Sequence, residues 1–230
     1  MRLDHYMVET FHKTRSQAQD LIRQGKVMVG SQIVTKTGFD LKQDKVTILE
    51  DNLYVSRGGL KLLDAITAFQ IDFKDLVVCD IGTSTGGFTD CALQHHAKKV
   101  YAYDVGSNQM HESLRYHPQV ELHEQTNILD VTLPKDIDMY TIDVSFTSVK
   151  PILKHLEPTK GRYLVLVKPQ FEVGPDYIKD GIVKDPKKQI DALNGIITYA
   201  KQLNFQILAH KTSDLLGKMG NQEFLLFLSK

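Results

Sequence analysis

The chain has 230 residues, 42% of them hydrophobic, and 28 Lys and Arg against 28 Asp and Glu; it can bury the core of one medium domain, with or without a small appendage. Two cysteines, Cys79 and Cys91, form neither a disulfide framework nor a zinc pattern and are expected in the core. No apolar run reaches the length of a signal peptide or a bilayer span, so a soluble, cytoplasmic protein with no membrane partner is expected.

The first 50 residues carry eight basic against six acidic side chains, and residues 12–36 hold five basic groups against Asp20 alone. Leu3, Tyr6, Met7 and Phe11 recur at helical spacing, as do Ala18, Leu21 and Ile22. Thr14 with Gln17 reads as a capping box and Gly25 as a helix stop. Two brief strands about a Gly30-Ser31 turn follow, then a third in "KVTILE", and the unit ends near Glu50. Arg15, Gln19 and Arg23 share the face of the second helix opposite its apolar residues, with Lys13 and Lys26 at its ends. That face suits phosphates, although spacing alone fits a plain solvated face equally well. The run "MRLDHYMVE…KTRSQAQDLIRQGKVMVGSQIV" resembles the small RNA-binding domain named after ribosomal protein S-four. The resemblance implies binding of structured RNA through Lys13, Arg15, Gln19, Arg23 and Lys26, by phosphate contact and shape.

Residues 51–59, "DNLYVSRGG", read as a polar linker, and 60–230 as a second domain. Its first helix carries Leu60, Leu63, Ile66 and Phe69, with Lys61 in its first turns and Asp64 placed for a surface ion pair. Next comes a buried strand, "LVVCDIG", a glycine turn and a helix, the layout that brings bare backbone against a nucleotide-like ligand. The spacing here is Asp-x-Gly-x-x-x-Gly, and an acid at the strand end would repel a pyrophosphate. That favours S-adenosylmethionine over NAD, with Asp80, Gly82, Ser84, Thr85, Gly86, Gly87 and Phe88 as its expected contacts. A second strand, "KKVYAYDVG", ends in Asp104, 24 residues after Asp80, where a carboxylate can accept ribose hydroxyls. Asn127 and Asp130, near the end of a third strand, could read an adenine amino group.

The fourth predicted strand ends at Asp143 and the fifth at Lys168. In an open parallel sheet the tips flanking the reversal of strand order are neighbours, so both side chains should face the cofactor. A Lys ending an apolar strand is costly without a partner or a task. Taken alone, Lys61 and Glu223 read as surface groups. The segment "EVGPDYIKDGIVKDPKK" could be a lid or a plain connection, and Phe171 could stack on a base or pack in the core. The helix from Pro186, capped by Asp185, carries Ile190, Leu193, Ile196, Ile197, Ala200 and Leu203 as its buried stripe. Two final strands complete seven. The expected fold is α/β: a Rossmann-like seven-stranded methyltransferase sheet preceded by a small α+β RNA-binding domain.

The motifs "VSRGGLKL", "CDIGTSTGGFTD", "YAYDVG", "IDVSFTS", "LVKPQFEVG" and "GNQEFLLFL", in that order along nearly the whole chain, resemble the TlyA family, historically labelled haemolysin A, whose catalytic part is of the FtsJ type. The family's Lys-Asp-Lys-Glu set falls on Lys61, Asp143, Lys168 and Glu223. The resemblance implies methyl transfer from S-adenosylmethionine to a cytidine ribose 2′-hydroxyl of ribosomal RNA, with the RNA or a ribosomal subunit as partner. A 2′-hydroxyl is a poor nucleophile at neutral pH and needs an aligned base. The neutral amine of Lys168 is the expected acceptor, Lys61 supplying a like charge and Asp143 and Glu223 orienting the amines. The family often has Arg-x-Trp-Val where this chain has Asn52-Leu53-Tyr54-Val55. A non-catalytic RNA-binding or assembly protein is the main alternative; membrane lysis lacks a spanning or strongly amphipathic exposed segment.

Overall fold

The computed structural model describes residues 1–30, 32–42, 45–48, 53–217 and 219–230. It divides into two compact units, Met1–Leu53 and Tyr54–Lys230. The expected linker at 51–59 is therefore corrected at its C-terminal side. Residues 54–59 belong to the second unit because Tyr54 is buried there and a helix already begins at Arg57; positions 50–52 lie outside the described residues.

In the first unit, α1 (Leu3–Phe11) and α2 (Arg15–Arg23) precede a sheet of β1 (Val27–Val29), β2 (Gln32–Ile33) and β3 (Val46–Ile48), ordered β2-β1-β3 and antiparallel throughout. The Thr14 hydroxyl accepts from the Gln17 N–H and the Gln17 side chain accepts from Thr14 N–H, so the reciprocal cap forms as read. Leu3, Met7, Ala18, Leu21, Ile22 and Val27 close the core. Among them the local pattern hides Asp4, which is fully buried. Its carboxylate accepts from Arg2 Nε (2.9 Å) and Nη2 (2.8 Å) and from Gln19 Nε2 (3.1 Å). The Arg2 guanidinium holds this carboxyl well below the usual carboxylate range, against the opposing pull of burial.

The second unit contains α3 (Arg57–Phe69), β4 (Val77–Ile81), α4 (Gly87–Gln94), β5 (Lys99–Tyr103), α5 (Glu112–Arg115), β6 (Val120–His123), β7 (Met139–Ile142), α6 (Lys150–His155), β8 (Arg162–Val167), α7 (Pro169–Glu172), α8 (Pro186–Gln202), β9 (Gln206–Thr212) and β10 (Phe224–Ser229). Among the described residues the strands make a seven-stranded sheet, β6-β5-β4-β7-β8-β10-β9. The first five are mutually parallel; β10 runs antiparallel to both β8 and β9. Every residue of β4 and β7 is buried, as strands covered on both faces require. One apolar layer joins the sheet to α6 and α8, and the other joins it to α3 and α4. Cys79 and Cys91 are buried as expected.

Two helices depart from the expected faces. On α8, Leu193, Ile196 and Ala200 are buried but Ile190 is 47% exposed, so the stripe starts one turn later than the periodicity suggested. On α3 the buried positions are Gly59, Lys61, Leu62 and Ala65, while Leu60, Leu63, Ile66 and Phe69 are half-buried. The cause is close packing at its start. A Cβ at Gly59 would fall 2.3 Å from the Tyr54 ring, and one at Gly87 would fall 2.2 Å from Ser56 Oγ and 2.8 Å from Gly59 N. Helices α3 and α4 thus meet at backbone distance, which turns α3 so that Lys61 points inward.

Candidate active site

The order of the sheet reverses between β4 and β7, and the turn after β4 opens onto that crevice. Gly82 (φ 84°) and Gly86 (φ 91°) occupy left-handed backbone where a Cβ would meet Asp143 O at 2.7 Å and Leu114 Cδ1 at 2.5 Å respectively. Ser84 is also left-handed (φ 49°); its N–H donates to Asp104 Oδ2 (2.7 Å), whose Oδ1 accepts from Gly106 N–H (2.7 Å). Thr85 O accepts from His111 N–H. The turn is thereby fastened to the end of β5 by the expected carboxylate. Backbone bonds from Gln125 and Thr126 to Gly106 O and Asp104 O bring Asn127 and Asp130 toward the same loop, four or more residues past the end of β6. Asn127 Oδ1 already accepts from Leu129 N–H, capping a short turn at Ile128–Asp130.

Two of the expected ligand residues have side chains buried within the protein rather than open to the crevice. Phe88 is 3% exposed inside the α3/α4 layer and faces no crevice, because the second position of α4 points toward Gly58. Asp80 lies within β4, 1% exposed, with Oδ2 accepting from Thr89 (2.7 Å) and Oδ1 from Thr141 (2.8 Å). Thr83 bonds Thr89 in turn (3.1 Å). Asp80 therefore anchors the turn from below. Burial pushes its carboxyl up to about 6, the threonine hydroxyls pull the other way, and the Asp143 charge adds a smaller upward push. Because the folded value lies above the unfolded 3.8, ionising Asp80 costs stability as pH rises from about 4 to about 6, fully so above that. We expect the unfolding free energy of Asp80→Asn minus wild type to grow by on the order of 3 kcal/mol across that window, at 1.36 kcal/mol per unit. Urea unfolding at a series of pH values checks this; a flat difference contradicts it.

The four polar side chains come to the crevice end of the sheet. Val165 pairs with Ile142, and Phe224 with Val167, so residues 143, 168 and 223 each lie one step beyond a paired position at that end. Lys168 Nζ lies 2.6 Å from Asp143 Oδ1 and donates to Ser145 Oγ at 2.9 Å. The ion pair is close but off-axis: Oδ1 receives no directed hydrogen bond, which goes to the serine. Lys61 Nζ donates to Glu223 Oε2 at 2.5 Å, with the residues 8% and 2% exposed. Asp64 pairs instead with Lys211 (2.5 Å). Lys61 and Glu223 are thus no surface groups, and each lysine is held by its own carboxylate.

Three further features lay outside the reading of the sequence. Ser145 is the directed partner of Lys168. Phe146 is 93% exposed with φ 65°, a conformation costing a bulky residue about 1–2 kcal/mol, and its ring lies 5.5 Å from that of Phe171. Val105, beside Asp104, is 73% exposed. Only the exposed aromatic in "DVSF" left a trace in the sequence, since apolar residues at strand ends usually read as core. The segment after α7 is tied down by Asn221, which accepts from Val183 N–H (2.9 Å) and donates to Gly181 O (2.8 Å).

In the first unit, Arg15 and Arg23 are exposed, and Lys13 and Lys26 are half-buried. Arg23 lies 3.9 Å from Asp20. Gln19 differs from expectation: its amide is given to Asp4, so it braces the two helices.

Residues 54–230 match the FtsJ-like methyltransferase family and residues 1–46 the S4 domain. The chain is 41% identical to the candidate rRNA methyltransferase YqxC of Bacillus subtilis, over 99% of this chain and 85% of that one. It is 31% identical to the 23S rRNA (cytidine-2′-O)-methyltransferase TlyA of Campylobacter jejuni, over the full length of both. The chain belongs to the TlyA branch of the FtsJ-like methyltransferases. A solved candidate hemolysin from Streptococcus thermophilus superposes with a TM-score of 0.78 at 36% identity, covering all of this chain and 88% of that one. Within this TlyA-type chain, Tyr54 is buried against Gly59, and its ring fills the corner at the start of α3. Among its described residues no helix is long and apolar enough to cross a membrane, and no group of His, Cys, Asp and Glu could hold a metal ion.

Proposed function

We propose that the chain methylates a ribose 2′-hydroxyl, that of a cytidine, in ribosomal RNA, taking the methyl group from S-adenosylmethionine in the cytoplasm. The observation carrying this reading is the pair of largely buried Lys-carboxylate couples at the crevice end of the sheet, beside the glycine turn at 82–87. The turn fits an adenosyl cofactor: its backbone can approach a ligand closely, Asp104 keeps lone pairs for ribose hydroxyls, and the exposed Val105 offers an apolar surface to a purine. The bound cofactor would supply an electrophilic methyl group.

This chain's residues would do the rest. The Lys168 amine takes the proton from the 2′-hydroxyl as attack begins; the ammonium so formed is balanced by the Asp143 carboxylate, 2.6 Å away, and donates to Ser145 Oγ at 2.9 Å. The Lys61–Glu223 couple presents a fixed ammonium to the same end of the sheet. Phe146, with Phe171 beside it, offers a face on which an unstacked base can lie. Residues 1–53 act as the RNA-binding domain, contacting phosphates through Lys13, Arg15, Arg23 and Lys26, with Gln19 as support. The test is incubation with radiolabelled S-adenosylmethionine and unmodified ribosomal subunits, followed by mapping of alkali-resistant positions. Label at a 2′-O-methylcytidine is expected; label on a base, or none with either subunit, defeats the reading.

A further inference from the structure

The segment carrying Asp143 and Ser145, residues 143–149, is irregular, and α7, which follows Lys168, is a single turn of four residues. Neither can hold its own shape: a lone turn is unstable in water, and Phe146 sits in strained backbone. Each segment is held by the other. Three links lie along their facing edges: Lys168 to Asp143 and Ser145, Phe171 to Phe146, and Glu172 to Ser148 and Val149.

The last of these is the most directed. Glu172 Oε2 accepts from Ser148 Oγ at 2.6 Å and Oε1 from Val149 N–H at 2.9 Å, while Ser148 Oγ itself accepts from Lys150 N–H at 3.2 Å, tying the corner to the start of α6. Behind Glu172 lies a cavity of about 230 Å³, bordered also by Lys150, Tyr177, Asp191 and Ile196. Packing on that side therefore cannot replace the two bonds. We propose that Glu172 is a positioning residue for methyl transfer, clamping the Asp143–Ser145 segment against Lys168 without touching substrate.

This inference rests on the catalytic reading of Lys168, and the experiment separates the two. Methyl transfer from labelled S-adenosylmethionine to unmodified subunits is measured for wild type, Lys168→Ala, Glu172→Ala, Glu172→Gln and Ser148→Ala, with cofactor affinity by calorimetry and melting temperature for each. Misplacement of reacting groups by an ångström costs up to about 100-fold, so Glu172→Ala should lower kcat by about 10- to 100-fold with cofactor Kd within about twofold. Glu172→Gln should stay within about threefold of wild type, because its amide can accept from Val149 N–H and donate to Ser148 Oγ. Ser148→Ala, losing one bond of the two, should lower kcat by about 3- to 10-fold. The inference is overturned if Glu172→Ala, or Ser148→Ala should the former not fold, keeps wild-type kcat while Lys168→Ala is inactive. An equal loss in Glu172→Gln that tracks a lowered melting temperature also overturns it, assigning Glu172 to stability. Activity in Lys168→Ala would instead remove the catalytic reading beneath it.

Discussion

Lys168→Ala is expected to lower single-turnover methyl transfer by about 10²- to 10⁴-fold, the contribution typical of a positioned general base, while leaving cofactor affinity nearly intact. The split follows from geometry. The glycine turn is fastened by Asp104, Asp80 and the threonines, none of which bonds to Lys168. Lys168 instead faces Asp143 and Ser145 on the β7 and β8 side of the crevice. Rapid-quench transfer of label to unmodified subunits, together with calorimetric titration of the cofactor, measures both halves. A Lys168→Ala enzyme that turns over normally would remove this amine from the chemistry; one that loses both transfer and cofactor binding would show that it supports the turn.

The second large effect concerns stability. Glu223→Ala strands the Lys61 ammonium, 8% exposed, without its carboxylate. Removing one partner of a buried ion pair costs about 3–5 kcal/mol. For a domain of this size, at about 2–4 °C per kcal/mol, the melting temperature should fall by roughly 6–20 °C. The double replacement Lys61→Met with Glu223→Leu should recover most of that loss, since a packed apolar pair of similar volume is often as stable as a buried ion pair. It should remain inactive if the couple serves the reaction. Thermal unfolding of the two single variants and the double variant tests this, and a Glu223→Ala protein melting within a degree or two of wild type contradicts it.

The parts legible in the sequence were those encoded locally. The strand, glycine turn and helix at 77–94, the capping box at Thr14 and the cap at Asp185 each depend on neighbours a few residues apart, and each forms where read. The Lys61–Glu223 couple joins residues 162 positions apart, so no local pattern could reveal it, and resemblance alone pointed to the pair. Ile190 departs from expectation for the opposite reason. The helical periodicity of its stripe holds, but which residue of a stripe is covered depends on where the neighbouring element ends. Asp4 shows the same limit in reverse: a carboxylate in an amphipathic helix reads as solvated until the Arg2 and Gln19 that surround it are in place.

The reversed direction of β10 has a practical outcome. Because this strand begins at the crevice end, beside Lys168, it delivers Lys230 to the far edge, where its backbone bonds to Gly161 at the start of β8. Six residues at about 3.3 Å each separate a label or surface tether placed there from the chemistry by roughly 20 Å. A tether on that edge would therefore leave the crevice end open for measurements on bulky substrates.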